Sequence, residues 1–162
     1  GKSINIALLR KLNEILVRQI LITYDDIQIT AENLAGLLEQ VGFGSASTYL
    51  DVPDFRSIFL GPGTVSVFAI EKPTQQLIGL ARVFTDNLFT TYISEVCVHP
   101  NFQKKGIGLN LIKAITNRFG HTAIFTDAFR GEISIFTKNS IMPKEKLIAC
   151  SCRPHYPDLI TH

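Results

Sequence analysis

Apolar residues recur at Ile4, Leu8, Leu9, Leu12, Ile15 and Leu16, the three-and-four spacing of one helical face, so residues 4–19 read as an amphipathic helix. The next five, Ile20-Leu21-Ile22-Thr23-Tyr24, are mostly β-branched or aromatic and end at Asp25-Asp26, which reads as a strand. Helical spacing returns at Leu34, Leu37, Leu38 and Val41, with Thr30 placed to cap that helix and Gly42 and Gly44 to stop it. Pro53 suits the first turn of a further helix carrying Phe55, Ile58 and Phe59, and Gly61-Pro62-Gly63 closes the region.

The pattern then changes to strands. Residues 64–70 and 76–85 are apolar and β-branched, and the turn at 71–75 predicts an antiparallel hairpin. Asp86-Asn87 marks a second turn before a third strand over 90–98. Ile107, Leu111, Ile112, Ile115 and Phe119 predict a helix over 106–119, stopped by Gly120. A strand over 121–128, a short helix over 131–139 and a last strand over 146–152 complete the chain. Hairpins followed by a strand–helix–strand unit predict an α/β domain with a mixed, mostly antiparallel sheet flanked by helices. No repeat or linker interrupts it, so residues 1–162 read as one domain.

Composition narrows the function. At 162 residues, 46% hydrophobic and 19% charged, the chain can bury one core. A net charge of +2 gives no ground for expecting nucleic acid. No apolar run approaches the roughly 18 residues that cross a bilayer, so no membrane is expected. Polar residues interrupt the first nineteen, which therefore read as structure rather than a signal peptide. Gly1-Lys2-Ser3 lacks the spacing of a phosphate-binding P-loop. Three cysteines, two of them neighbours at Cys150 and Cys152, suit a reducing compartment and a cytoplasmic protein. Cys150, Cys152 and His155 have no second ligand pair elsewhere, so they read as a buried strand with two small thiols, and no metal is expected.

The segment His99–Ile112, "HPNFQKKGIGLNLI", carries the chemistry. A helix N-terminus offers unpaired N–H groups and partial positive charge. Gly106 and Gly108 let an anion approach the backbone, and Lys104 and Lys105 add positive charge. A phosphate cradle is built this way, although an ordinary turn with two solvated lysines would look the same locally. The third glycine of a dinucleotide fingerprint is absent.

With the preceding strand, the stretch "EVCVHPNFQKKGIGLNLI" resembles the acetyl-CoA-binding segment of the GNAT acetyltransferase superfamily. The family pattern Arg/Gln-x-x-Gly-x-Gly/Ala falls on Gln103-Lys104-Lys105-Gly106-Ile107-Gly108. The order of elements fits over residues 20–141 and leaves 1–19 as an extra N-terminal helix, a candidate interaction or homodimer surface. The resemblance implies a GNAT fold whose central sheet is splayed at the cofactor slot. It implies that the backbone of Gln103, Lys104, Lys105, Gly106, Ile107 and Gly108 holds the pyrophosphate of acetyl-CoA. It implies that Val96, Cys97 and Val98 pair with the pantetheine arm, whose amides can add to a strand edge as a peptide does. Thr126 and Asp127 would form the opposite wall. The strand after 146 would lack its usual second partner, or take it from another chain.

The implied reaction moves an acetyl group from acetyl-CoA to an amine: a small amine, an amino acid, a peptide N-terminus or a lysine. An alkylamine has a pKa of about 10.4, so a base must remove a proton before attack. Glu95 is the candidate, on the strand that presents the thioester; Asp127 is a second carboxylate. His99, before Pro100, reads as a surface residue, and Cys97 in an apolar strand with no adjacent activating group reads as packing. The family's usual tyrosine acid aligns with Phe136, which has no proton to give. That gap keeps open an alternative, a non-catalytic acyl-CoA-binding or regulatory module on the same fold.

Overall fold

The computed structural model describes residues 5–151, apart from the side chains of Leu16 and Val17. Five strands form one sheet in the order β1-β2-β3-β4-β5: β1 Ile20–Thr23, β2 Thr64–Glu71, β3 Gln76–Thr85, β4 Thr90–Val98 and β5 Ala123–Thr126. The first four pair antiparallel and β4 pairs parallel with β5, giving the mixed sheet that the strand order predicts. The helices are α1 Ile6–Arg18, α2 Ala31–Gln40, α3 Ala46–Leu50, α4 Phe55–Phe59, α5 Ile107–Phe119 and α6 Ile133–Thr137.

Both faces of the sheet are covered. On one, Leu34, Leu37 and Leu38 of α2 and Phe55 and Phe59 of α4 bury Phe68, Leu80 and Cys97. On the other, Leu111, Ile112, Ile115 and Phe119 of α5 pack with Phe136 on Val67, Ile78, Val83 and Ile93. A Cβ at Gly79 would meet the Cys97 carbonyl oxygen at 3.1 Å and Leu111 at 3.4 Å, so the strand surface there leaves little room beneath α5. The alternation of β3 supplies both cores, since successive side chains point to opposite faces.

Local chemistry fixes the ends. Thr30 accepts from the Asn33 amide at 3.1 Å, and the Asn33 side chain accepts from the Thr30 amide at 3.0 Å, a reciprocal cap on α2. Asp86 accepts from the amides of Leu88, Phe89 and Thr90 at 2.8–2.9 Å, which locks the β3–β4 turn. Those backbone donors, Thr90 first, hold its carboxyl below the ordinary aspartate value.

Two expectations need correction, the start of α4 and the last strand, while α3 and the reason for glycine at the end of α5 were not read from the sequence. Pro53 is not in the first turn of α4; that helix begins at Phe55, after Asp54 in the left-handed region at φ 57°. The short helix α3, capped by Ser45, was hidden because Ala46-Ser47-Thr48-Tyr49-Leu50 has too few apolar residues to show a period. Gly120 ends α5 in a right-handed conformation at φ −62°, where an added Cβ would meet the Thr116 carbonyl oxygen at 2.7 Å; close approach, not positive φ, requires glycine. Residues 146–151 form no strand, and Cys150 is exposed rather than buried. Among the described residues nothing past α6 pairs with β5, so the β-forming composition there gains no ladder. Cys152 and His155 lie outside the described residues. The α1 helix exposes Ile6, Leu8, Leu9, Leu12 and Ile15.

Thr30→Ala should lower the unfolding free energy by about 1 kcal/mol through loss of the cap. Urea denaturation followed by circular dichroism measures it. An unchanged midpoint would mean that tertiary packing alone sets the start of α2.

Candidate functional site

Two sequence-local events in β4 build the site. The first is the end of its pairing with β5. Parallel register runs from Thr90 opposite Ala123 to Ile93 opposite Thr126 and stops, while β4 continues to Val98. Glu95 to Val98 keep β3 on one side, and Ser94 to Val98 have no strand on the other. The Thr126 hydroxyl donates to the Ile93 carbonyl at 3.1 Å and closes one end of this gap. The Gln103 side-chain amide donates to the Val98 carbonyl at 2.9 Å and closes the other. The side chains of Val96 and Val98 pack toward α5 and that of Cys97 toward α2, so it is the backbone of these residues that borders the gap.

The gap leads to the start of α5. Lys104 at φ 60° and Gly106 at φ 81° turn the chain into the helix. A Cβ at Gly106 would meet nothing within 4 Å, so the left-handed backbone explains the glycine there. The Asn110 amide opens the α5 bonding, donating to the Gly106 carbonyl at 3.0 Å. Among the described residues nothing accepts from the amides of Lys104 to Leu109, so these donors are open. Lys105 is drawn back, donating to the Asn101 carbonyl at 3.2 Å with its ammonium 5.5 Å from the Phe102 ring; Lys104 is exposed. Ile107 is buried in the α5 core and can contribute only its backbone. A Cβ at Gly108 would touch Val98 at 3.8 Å and Ile135 at 3.9 Å, ordinary contact. Open amides with a nearby cation fit a phosphate-bearing ligand. His99 stays outside this machinery: its Nδ1 accepts from the Asn101 amide at 3.1 Å, and its ring meets Phe102 edge-on.

The second event is a bulge. Arg82 pairs with Glu95 and Val83 with Ile93, so Ser94 is an extra residue in β4. Tyr92, opposite Phe84, and Glu95, opposite Arg82, consequently share the α2-side face. Simple alternation would put them on opposite faces. Arg82 grips Glu95 with two bonds, Nη2 to Oε1 at 2.6 Å and Nε to Oε2 at 2.8 Å. The Ser94 hydroxyl also donates to Oε2. Arg82 is held in turn by the Phe59 carbonyl at 3.2 Å and stacks 4.0 Å from the Phe59 ring. Glu95 is therefore half-buried and paired, not a free strand glutamate. Its partner Arg82 was missed because hairpin counting from the Asp86 turn places Arg82 opposite Ser94; only the bulge moves Glu95 into reach.

At the apex of the gap the Tyr92 hydroxyl donates to Asp127 Oδ2 at 2.7 Å. That bond, then partial burial, raises the tyrosine above its ordinary value, so Tyr92 stays protonated at neutral pH. Tyr92 lies opposite Phe84 on one side and Phe125 on the other, an aromatic row across three strands. Burial pushes the Cys97 thiol up to about 12, as a packing residue requires. Among the described residues no cluster of three or more His, Cys, Asp and Glu is set to hold a metal, and no helix is long and apolar enough to cross a membrane.

At pH 8 iodoacetamide should therefore modify Cys150 and leave Cys97 intact in the native protein, read by peptide mass mapping. Modification of Cys97 as fast as Cys150 would contradict the buried, protonated thiol.

Residues 33–128 match the family model described as "Acetyltransferase (GNAT) family". An uncharacterized N-acetyltransferase, ycf52, of Gracilaria tenuistipitata var. liui is 35% identical over 63 residues, which span 39% of this chain and 35% of that protein. A probable acetyltransferase from meticillin-resistant Staphylococcus aureus superposes with a TM-score of 0.67 at 17% identity, over 84% of this chain and 99% of the other. Glucosamine-6-phosphate N-acetyltransferase from Arabidopsis thaliana superposes with a TM-score of 0.58 at 16% identity, over 82% and 97%. Structural likeness at such identity speaks for the fold alone. The family match covers more than half of the chain and includes the split strand and the α5 cradle, and the chain belongs to the GNAT acetyltransferase family.

Proposed function

We propose that this chain transfers the acetyl group of acetyl-CoA to an amine. The observation that carries the reading is the stretch Ser94–Val98, unpaired toward β5, running straight to the open amides at the start of α5. The β4 edge suits the two amides of a pantetheine arm. The amides of residues 104–109, with Lys104, suit the pyrophosphate.

With donor and acceptor held together, the amine nitrogen attacks the thioester carbonyl. A C–N bond forms, the C–S bond breaks, one proton leaves the nitrogen, and CoA departs as thiolate. A thiol has a pKa of about 8.5, so the thiolate leaves tolerably even before it is protonated. Phe136, buried in the α5 core, offers no acid and none is required. The proton acceptor in this proposal is Glu95, acting through water. Its carboxylate offers about four lone-pair sites and accepts three bonds, so one site remains. Asp127 is the competing base; only its Oδ2 is engaged, by Tyr92. The acceptor could equally be a small amine, an amino acid, a peptide N-terminus or a lysine on these grounds.

The engaged Glu95 and the missing hydroxyl at Phe136 favour one second reading, a module that binds acyl-CoA without turning it over. CoA release measured across amines and peptides separates the two: binding without release supports the module.

Two outcomes follow. At a hundredfold excess over its dissociation constant, acetyl-CoA should stabilise the fold by about 2.7 kcal/mol, read as a thermal shift. Gly108→Asp, a carboxylate against the proposed pyrophosphate site, should abolish that shift, and a full shift in the variant rules out the cradle. If Glu95 is the base, Glu95→Gln should cut turnover by about 10²-fold or more, measured below the variant's own melting temperature because Arg82 loses its charged partner. Near-normal turnover there, with that loss in Asp127→Asn, would assign the base to Asp127.

A further inference from the structure

The α2-side face of the sheet is bare at one end. The Phe59 ring on α4 covers Arg82, 4.0 Å from its guanidinium. One rung further on, Phe84 is 46% exposed, Tyr92 half-buried and Phe125 47% exposed. Register sets Phe84 opposite Tyr92 and Tyr92 opposite Phe125, so the three rings share that face. Neighbouring strands lie about 4.8 Å apart, which makes a platform roughly 10 Å wide. On the other face the same strands bury Val83, Thr91 and Ile93. Three charged neighbours surround the row. The Arg82 guanidinium lies 5.2 Å from the Phe84 ring, with its nitrogens committed to Glu95 and the Phe59 carbonyl. Tyr92 donates to Asp127 Oδ2 at 2.7 Å, and among the described residues nothing donates to Oδ1. Asp127 forms no ion pair there either; the pairs are Arg56–Asp26 and Arg82–Glu95. Asp127 follows Thr126, the last residue of β5 to pair, and the open stretch of β4 follows its partner Ile93. The free carboxylate and the open edge therefore begin at the same rung.

We propose that this row receives the acceptor, and that the acceptor is a primary amine on a flat aromatic body with no carboxylate beside the amine. The inference rests on the acetyl-transfer reading above and names its second substrate. Charge places the nitrogen: Asp127 draws an ammonium group to the rung where the open stretch begins. The rings select the body, since they offer stacked or edge-on contact to another ring and gain by leaving water. The helix α5, whose amides suit the pyrophosphate, packs on the face opposite the row. Donor and acceptor thus approach the open edge of β4 from opposite sides of the sheet. An aliphatic amine forgoes the ring contacts. A carboxylate beside the amine is repelled by Asp127 and finds Arg82 already engaged.

Three acceptors test this, compared by CoA release: 2-phenylethylamine, butylamine and phenylalanine. The first should show the highest kcat/KM by about tenfold, carried by KM. Phe125→Leu, which keeps an apolar side chain without a ring, should raise KM for 2-phenylethylamine and remove its advantage over butylamine; Phe125→Tyr should keep it. Phe84→Leu, at the other end of the row, is read the same way, and loss of the advantage in either leucine variant supports the assignment. Equal use of 2-phenylethylamine and either rival, or an advantage unchanged in both leucine variants, overturns it and leaves acetyl transfer standing. A row covered by a second copy of the chain would appear in sedimentation as a dimer that Phe125→Ser dissociates, and that result overturns it too. If no acceptor releases CoA, calorimetric titration of 2-phenylethylamine into the CoA-saturated protein decides. Binding weakened about tenfold by either leucine variant supports the row while acetyl transfer fails. Binding unmoved by both, or no binding, overturns the row as well.

Discussion

Everything at the site depends on how β4 is bonded on its two sides. Toward β3 it is paired along nearly its whole length; toward β5 the ladder stops at Ile93. A strand anchored on one side can leave polar backbone open on the other without losing its place in the sheet. Buried backbone groups need partners, so such an edge invites a ligand that brings its own amides. The two ends of the open stretch are pinned by side chains, Thr126 at one and Gln103 at the other. The gap therefore has defined limits rather than being a frayed edge.

The bulge at Ser94 adds the chemistry. Without it, the face that carries Tyr92 and Phe84 would present Ser94 opposite Arg82. With it, Arg82 finds a carboxylate, and the pair is locked by two charge-assisted bonds and by stacking on Phe59. The same face bears an ion pair that neutralises itself and a second carboxylate, Asp127, that does not. The proposed proton acceptors and a sheet-stabilising ion pair thus lie on neighbouring side chains. Substitutions there are expected to mix these effects unless stability is followed alongside turnover.

The cores on the two faces explain why this arrangement holds. The α5 helix is pressed onto β2, β3 and β4 by Leu111, Ile112, Ile115 and Phe119, which fixes its first turn at the end of the β4 strand. The amides at its start are held in place by packing further along the helix. Cys97 belongs to this scaffold, with its thiol protonated by burial on the opposite face.

Much of the fold was legible because burial imposes a period. The apolar spacing over β2, β3, β4 and α5 reports which face meets a core, and those elements begin and end within a residue or so of expectation. The turn at Asp86 and the cap at Thr30 were equally readable, being short-range hydrogen bonds between near neighbours. The turn at Gly106 was legible for the same reason: left-handed backbone beside a helix start leaves its mark as glycine. Composition misled at 146–151, since a β-forming sequence becomes a strand only where it pairs with a neighbouring edge. The partner of Glu95 lay beyond the sequence as well, because one extra residue in a ladder reverses which side chains share a face and leaves no trace in the pattern of apolar positions. Local chemistry and burial period determined the elements and the glycine turn into α5; cross-strand register, which exists only once strands pair, decided which charges meet.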